Sequence, residues 1–175
     1  MGNGISQIDD GFFICGVNAL VDVDQLKRLG ITYILNAGQK HLYEREIEGI
    51  SLLERLQPFR VKIIGVGDLP KEDLGAHFDA IATFIEEGRR AGGVVVHCAA
   101  GISRAATSCM AYLLLKERLS LNAAFTKVHR ARIIVHPNAG FWRQLRDLEA
   151  GILSSGVTLR ELREGELPPL ELQGE

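Results

Sequence analysis

Cysteine is scarce in this 175-residue chain: there are three, an odd number, and no two form a C-x-x-C pair. That usage excludes a disulfide framework and a structural zinc site, and it suits a reducing, cytoplasmic setting. Long hydrophobic runs are lacking as well. The longest, such as Met110–Leu115 and Gly92–Val96, fall well short of the ~20 residues that span a bilayer, and the N-terminus lacks the basic-then-apolar pattern of a secretory signal. Nor is there an excess of one charge. Twenty basic residues face 22 acidic ones, a formal charge of -2, so no global field draws nucleic acid or an acidic membrane. His41, His77, His129 and His136 are scattered without ligand spacing, and neither a metal nor a cofactor is expected. What is present, 46% apolar and 24% charged residues over a length typical of one domain, describes a single globular unit.

Short β-branched and aromatic runs at 12–16 and 31–36 flank a stretch, Val21–Leu29, whose apolar residues recur at helical spacing before Gly30. Residues 39–57 are charged and irregular, an exposed helix or an extended excursion. Arg60–Val66 is a further strand, and Phe78, Ile81, Ala82, Phe84 and Ile85 mark a helix ending near Gly88. Gly92–Val96 has the continuous apolar character of a buried strand. Helices are expected over Arg104–Arg118, over Ser120–Ala131 with Ser120 as N-cap, and over Asn138–Ser154 behind Pro137. A catalytic domain would thus fill residues 1–155, and 156–175, rich in Glu, Leu, Gly and Pro, would be a loosely packed tail. The alternation predicts an α/β fold, a central mostly parallel sheet flanked by helices, with its ligand beyond the carboxyl ends of the strands.

The turn after the buried strand is His97-Cys98-Ala99-Ala100-Gly101-Ile102-Ser103-Arg104. Small residues from Ala99 to Ser103 let the backbone curl so that successive N–H groups converge as an anion nest at a helix N-terminus. Arg104 adds a planar fork able to hold two oxygens of a phosphate. The same positive potential favours a thiolate over a thiol, which makes Cys98 a candidate nucleophile. The plain alternative, a buried apolar cysteine and a solvated arginine, does not account for the whole string of strand, His-Cys, Gly, Ser-Arg and helix.

This string, with Ala111-Tyr112, Arg132 and Pro137-Asn138-Ala139-Gly140-Phe141-Trp142-Arg143-Gln144-Leu145, resembles the dual-specificity phosphatases within the cysteine-dependent protein tyrosine phosphatases. The resemblance covers about residues 5–150, with 39–57 longer than it would lead one to expect. It implies the phosphatase fold and a two-step hydrolysis in which Cys98 takes the phosphoryl group and water then releases it. It implies phosphorylated proteins as substrates, with a shallow cleft open to phosphotyrosine and to phosphoserine or phosphothreonine. An aspartate some 30 residues ahead of the cysteine would be the general acid. Asp68 fits, and Asp73 is the alternative, although its place at a helix start suits a capping carboxylate. By resemblance His97 orients the loop and Asn138 braces it, the latter also being a natural N-cap. Arg132 would touch a second substrate phosphate or lie solvated at a helix end.

One position departs from the family pattern. Ala105 stands where a Ser or Thr usually helps the thiolate leave, which implies a slowed second step. A phosphate-binding pseudophosphatase, or a phosphatase of a lipid or carbohydrate phosphomonoester, is the competing reading. Met1-Gly2-Asn3-Gly4-Ile5-Ser6 matches the pattern for N-myristoylation at Gly2, and a small subgroup of the family shares the opening Met-Gly-Asn-Gly. One such chain binds membranes only marginally, with K of about 10⁴ per molar, and no Lys or Arg precedes Lys27. Reversible peripheral visits from the cytoplasm are the expectation.

Overall fold

The structure, a computed structural model, describes residues 4–168. Gly2, the candidate lipidation site, lies outside the described residues.

A five-stranded sheet forms the middle layer. Its strands are β1 (Ser6–Asp9), β2 (Phe12–Gly16), β3 (Tyr33–Asn36), β6 (Arg60–Ile63) and β7 (Val94–Cys98), in the spatial order β1-β2-β7-β3-β6. All neighbours are parallel except β1 and β2, which pair antiparallel. The mostly parallel α/β expectation holds. The edge strand β1 was not expected, because four residues with two charged or amide side chains carry too weak an alternation to stand out. Every residue of β7 is buried, as a central strand covered on both faces must be.

One face of the sheet is covered by α3 (Phe78–Arg90), α4 (Arg104–Leu115), α5 (Leu121–Ala131) and α6 (Ala139–Ser154), the other by α1 (Val23–Arg28) and the segment 39–57. Helix α3 buries Phe78, Ile81, Ala82 and Ile85 as one stripe. Helix α4 is buried along nearly its whole length because it sits between the sheet and three other helices. The stretch read as one helix over Val21–Leu29 is divided: a 3-10 turn covers Val17–Val21, and the Asp22 side chain accepts the Gln25 N–H at 2.9 Å to start α1 afresh.

Residues 39–57 are not a simple exposed excursion. They hold a 3-10 turn (Lys40–Tyr43), a small hairpin of β4 (Glu46–Ile47) and β5 (Ile50–Ser51), and α2 (Leu52–Arg55), which opens with a capping box between Ser51 and Glu54. Tyr43, Leu52 and Leu56 anchor the segment in the core. The charged residues between them mask that periodicity.

The segment after α6 is also better fixed than its composition suggests. Leu119 bridges Arg160, Val157, Leu159 and Leu162 pack on the core, and Arg130 Nε donates to the Pro168 carbonyl at 2.9 Å. The Arg160 guanidinium grips the Glu166 carboxylate with two bonds, at 2.8 and 2.9 Å, and the Arg163 N–H adds a third. These donors hold the Glu166 carboxyl down to about 2 from an ordinary 4.5. A carboxyl depressed by folding stabilises the folded form above its unfolded value and loses that contribution as pH falls through the folded one. Hydrogen exchange at residues 157–166 should therefore accelerate as pH, corrected for intrinsic rate, falls from 4.5 toward 2, and Glu166→Gln should remove this dependence.

Candidate active site

Cys98 ends β7 at its carboxyl edge, the position where parallel sheets present their ligands. The chain then curls through Ala99–Ser103 and enters α4 at Arg104. What shapes this curl is visible in its carbonyls. The Cys98 carbonyl meets His97 Nδ1 at 3.1 Å and the Ala99 carbonyl accepts from Val17 N–H at 3.1 Å. Arg132 donates to the Ala100 carbonyl from Nη2 and to the Gly101 carbonyl from Nε, both at 3.0 Å. The Ile102 carbonyl accepts from His136 N–H at 2.8 Å. In a trans peptide the N–H points opposite the C=O, and no peptide among the described residues is cis. Binding these carbonyls from outside therefore turns the amides of residues 99–103 to the other side. Gly101 confirms the direction: its N–H donates to Cys98 Sγ at 3.3 Å.

Gly101 is needed for this geometry. Its φ is +69°, and a Cβ would stand 2.5 Å from the backbone of Cys15. Arg104 is buried, and its Nη1 donates to the Val66 carbonyl at 3.0 Å. Its Nε is a buried donor without a protein partner among the described residues, so the arrangement retains capacity for an anionic acceptor. Amides turned inward and a sulfur that meets the Gly101 N–H stand at the start of the helix whose first residue is Arg104, an arrangement that suits a tetrahedral oxyanion.

His97 lies wholly inside, behind the loop. Burial, reinforced by the Arg104 cation, lowers its pKa from 6.5 to about 4, so the ring is neutral near pH 7. A carbonyl can only accept, so Nδ1 carries the proton toward Cys98 O and Nε2 is bare. The Tyr43 hydroxyl fills that need by donating to Nε2. Burial pushes the Tyr43 phenol well above its usual value, so it keeps its proton. Tyr43 comes from the segment 39–57, and nothing in its sequence surroundings marks it as a partner of the loop.

Asp68 is exposed on the loop after β6. Its Oδ1 accepts from Asn138 Nδ2 at 2.8 Å. Asn138 also caps α6 through Phe141 N–H, and its own N–H donates to Ser103 Oγ at 3.0 Å. The expected brace and the expected cap are thus one residue, and it ties Asp68 to the curl. Asp73 caps instead: its Oδ1 accepts Ala76 N–H at 3.0 Å. Arg132 corrects the sequence reading in both its forms. It is neither solvated nor turned to a substrate; it is buried, with its donors committed to loop carbonyls, to Gly4 O and to Ser6 Oγ. A charged group is retained there because three backbone carbonyls and a hydroxyl satisfy it. Among the described residues no group of three or more His, Cys, Asp or Glu could hold a metal ion.

Comparison with known proteins matches residues 12–150 to the family model "Dual specificity phosphatase, catalytic domain". The chain is 38% identical over 152 residues to a probable dual specificity protein phosphatase of Dictyostelium discoideum, covering 84% of this chain and 34% of that protein. It is 35% identical over 147 residues to human dual specificity protein phosphatase 14, covering 83% of this chain and 69% of the relative. The chain therefore spans about a third of the Dictyostelium protein's length. Among solved structures, human DUSP28 superposes with a TM-score of 0.73 at 30% identity, over 85% of this chain and 95% of that one. A mouse putative dual specificity phosphatase complexed with zinc tungstate superposes at 0.77 and 29% identity, over 92% and 96%.

Tyr43→Phe removes the one donor to His97 Nε2 while keeping the ring, and leaving a buried nitrogen unpaired costs about 1–3 kcal/mol. Denaturant unfolding should show that loss. The sign of the His97 contribution is also fixed: the unfolded chain binds its proton more tightly, so stability is intact above 6.5, erodes as pH falls toward about 4, and then levels off. The His97 ring should show no titration between pH 5.5 and 8 by NMR.

Proposed function

The chain belongs to the dual specificity phosphatase family, and on that premise we propose that it hydrolyses phosphomonoesters of tyrosine and of serine or threonine on protein substrates through a phosphocysteine at Cys98. The observation that carries this reading is the curl whose carbonyls are bound outward around Cys98, together with a buried Arg104 Nε that has no partner among the described residues. Tungstate shares the tetrahedral oxyanion form of phosphate, and the mouse relative's complex with zinc tungstate supports a like ligand here.

In the first step Cys98 Sγ, as thiolate, forms a bond to phosphorus while the bond to the ester oxygen breaks. Asp68 gives that oxygen a proton. In the second step water attacks phosphorus, Asp68 takes its proton, and the S–P bond returns its electrons to sulfur. The amides of 99–103 and the Arg104 fork hold the equatorial oxygens throughout, where charge spreads as the phosphoryl group moves. Substrate choice follows from what the cradle lacks: Ala99, Ala100, Ile102 and Ser103 add no positive charge for a polyphosphorylated lipid headgroup.

Ala105 is buried in the first turn of α4 and offers no hydroxyl to the departing sulfur. The hydroxyl protons of Thr107 and Ser108 in the same helix are donated to the Ser103 and Arg104 carbonyls, so neither substitutes readily. Breakdown of the phosphoenzyme is the slow step in this reading. Gly2 myristoylation would add reversible membrane visits to a protein otherwise free in the cytoplasm.

With p-nitrophenyl phosphate, wild type should give a burst followed by a slow steady state, and intact-mass measurement should find one added phosphate that disappears in Cys98→Ser. Asp68→Ala should lower the burst-phase rate by roughly 10²–10⁴-fold for esters of weakly acidic alcohols. Ala105→Ser should raise the steady rate and abolish the burst. Hydrolysis that survives Cys98→Ser overturns the mechanism, and phosphopeptide binding with no turnover points to an adaptor instead. Gly2→Ala should move the protein into the soluble fraction of cells; equal distribution of the two forms rejects the lipid anchor.

A further inference from the structure

The loop that carries Asp68 runs from Gly65 to His77 and is anchored at its ends, where Val66 and Leu74 are buried and Arg104 holds the Val66 carbonyl. Glu72 Oε2 accepts Gly67 N–H at 3.3 Å, Glu72 N–H reaches the Leu69 carbonyl at 3.0 Å, and Asp73 caps the turn at Ala76. A further grip, on the stretch between those anchors, comes from α6. Gln144 presents both ends of its amide to the loop backbone: Oε1 accepts Gly75 N–H at 2.7 Å and Nε2 donates to the Glu72 carbonyl at 2.8 Å. The partners fix the orientation of the amide, since an N–H needs the oxygen and a carbonyl needs the nitrogen. One turn earlier on the same helix, a Cβ on Gly140 would stand 1.9 Å from the Pro70 carbonyl oxygen, so the loop lies directly on helix backbone there. Asn138 at the helix start holds the Asp68 carboxylate itself.

The Gly140 and Gln144 contacts lie just beyond Asp68, at 70 and at 72–75, and neither touches the cradle. Among the described residues the Gln144 amide bonds to Glu72 and Gly75 and to no residue of the curl. We propose that Gln144 is a positioning residue for general acid catalysis, holding the loop on α6 with Gly140 as the bed that lets it lie close, so that Asp68 reaches the leaving oxygen. This rests on the reading of Asp68 as the acid. The glutamine bears on protonation of the leaving group and not on phosphate binding or on attack by sulfur. A misplaced acid is felt only where the leaving group needs a proton, which gives the role a signature that general destabilisation does not share.

The test is a series of aryl phosphates, from 2,4-dinitrophenyl phosphate, whose phenolate leaves unaided, to phenyl phosphate, whose leaving oxygen needs the acid. It uses wild type, Gln144→Ala, Gln144→Glu, Gly140→Ala, Asp68→Ala and the Asp68→Ala/Gln144→Ala pair. Burst-phase rates are read, so the first step is isolated from phosphoenzyme breakdown. Gln144→Ala should slow phenyl phosphate roughly 10- to 100-fold, leave the dinitrophenyl ester little changed, and add no further loss once Asp68 is gone. Gln144→Glu keeps the acceptor for Gly75 but sets a carboxylate against the Glu72 carbonyl, and Gly140→Ala lifts Pro70; both should show the same leaving-group slope even should Gln144→Ala fold poorly. An equal fall across the series, or losses that multiply in the double variant, overturns the role of Gln144 while Asp68→Ala alone keeps its slope. A flat response in Asp68→Ala overturns the acid assignment itself, and the inference about Gln144 with it.

Discussion

Successive carbonyl oxygens from Cys98 to Ile102 are each captured from outside the loop, by His97, Val17, Arg132 and His136, and this capture is what aims the intervening amides at one point. A run of small residues could curl in many ways. Here the donors decide which. They come from four parts of the chain: the strand itself, the 3-10 turn after β2, the end of α5 and the link to α6. The cradle is therefore a property of the packed domain. It would not persist in an isolated peptide, where water would bind the same carbonyls and the loop would lose its preferred hand.

Two of these donors show how charge state supports the shape. Burial keeps His97 neutral, so its single Nδ1 proton serves the Cys98 carbonyl and its bare Nε2 is served by Tyr43. Arg132 keeps its charge in the interior because loop carbonyls, Gly4 O and Ser6 Oγ surround it. It also places a second cation behind the loop, in addition to Arg104 beside it. The loop that carries Asp68 is joined to this assembly at two points, Arg104 to the Val66 carbonyl and Asn138 to both Asp68 and Ser103, so Cys98, the curl and Asp68 belong to one connected body.

The parts legible in the sequence were those with a local cause. The Val94–Val96 strand, the turn from Cys98 into the helix at Arg104 and the Asn138 cap each depend on neighbours within a few residues. The parts that escaped depend on long-range pairing. Arg132 read as a solvated or substrate-facing residue because a helix-end arginine looks the same whether its fork meets water or three carbonyls. Tyr43 was hidden among charged residues in 39–57, and its role exists only because the segment folds over the sheet to reach His97. The division of the expected Val21–Leu29 helix at Asp22 followed a cap that helical spacing alone did not reveal. The tail escaped for a related reason: its few apolar residues are enough once Arg160 and Glu166 close the turn around them.

The inward aim of the amides is tested most directly by amide NMR on isotope-labelled protein titrated with tungstate. Saturable shifts are predicted at the N–H groups of residues 99–103 and at the Arg104 Nε–H, whose proton lacks a partner among the described residues. A titration in which those signals stand still while tungstate binds elsewhere would contradict the cradle and everything built upon it.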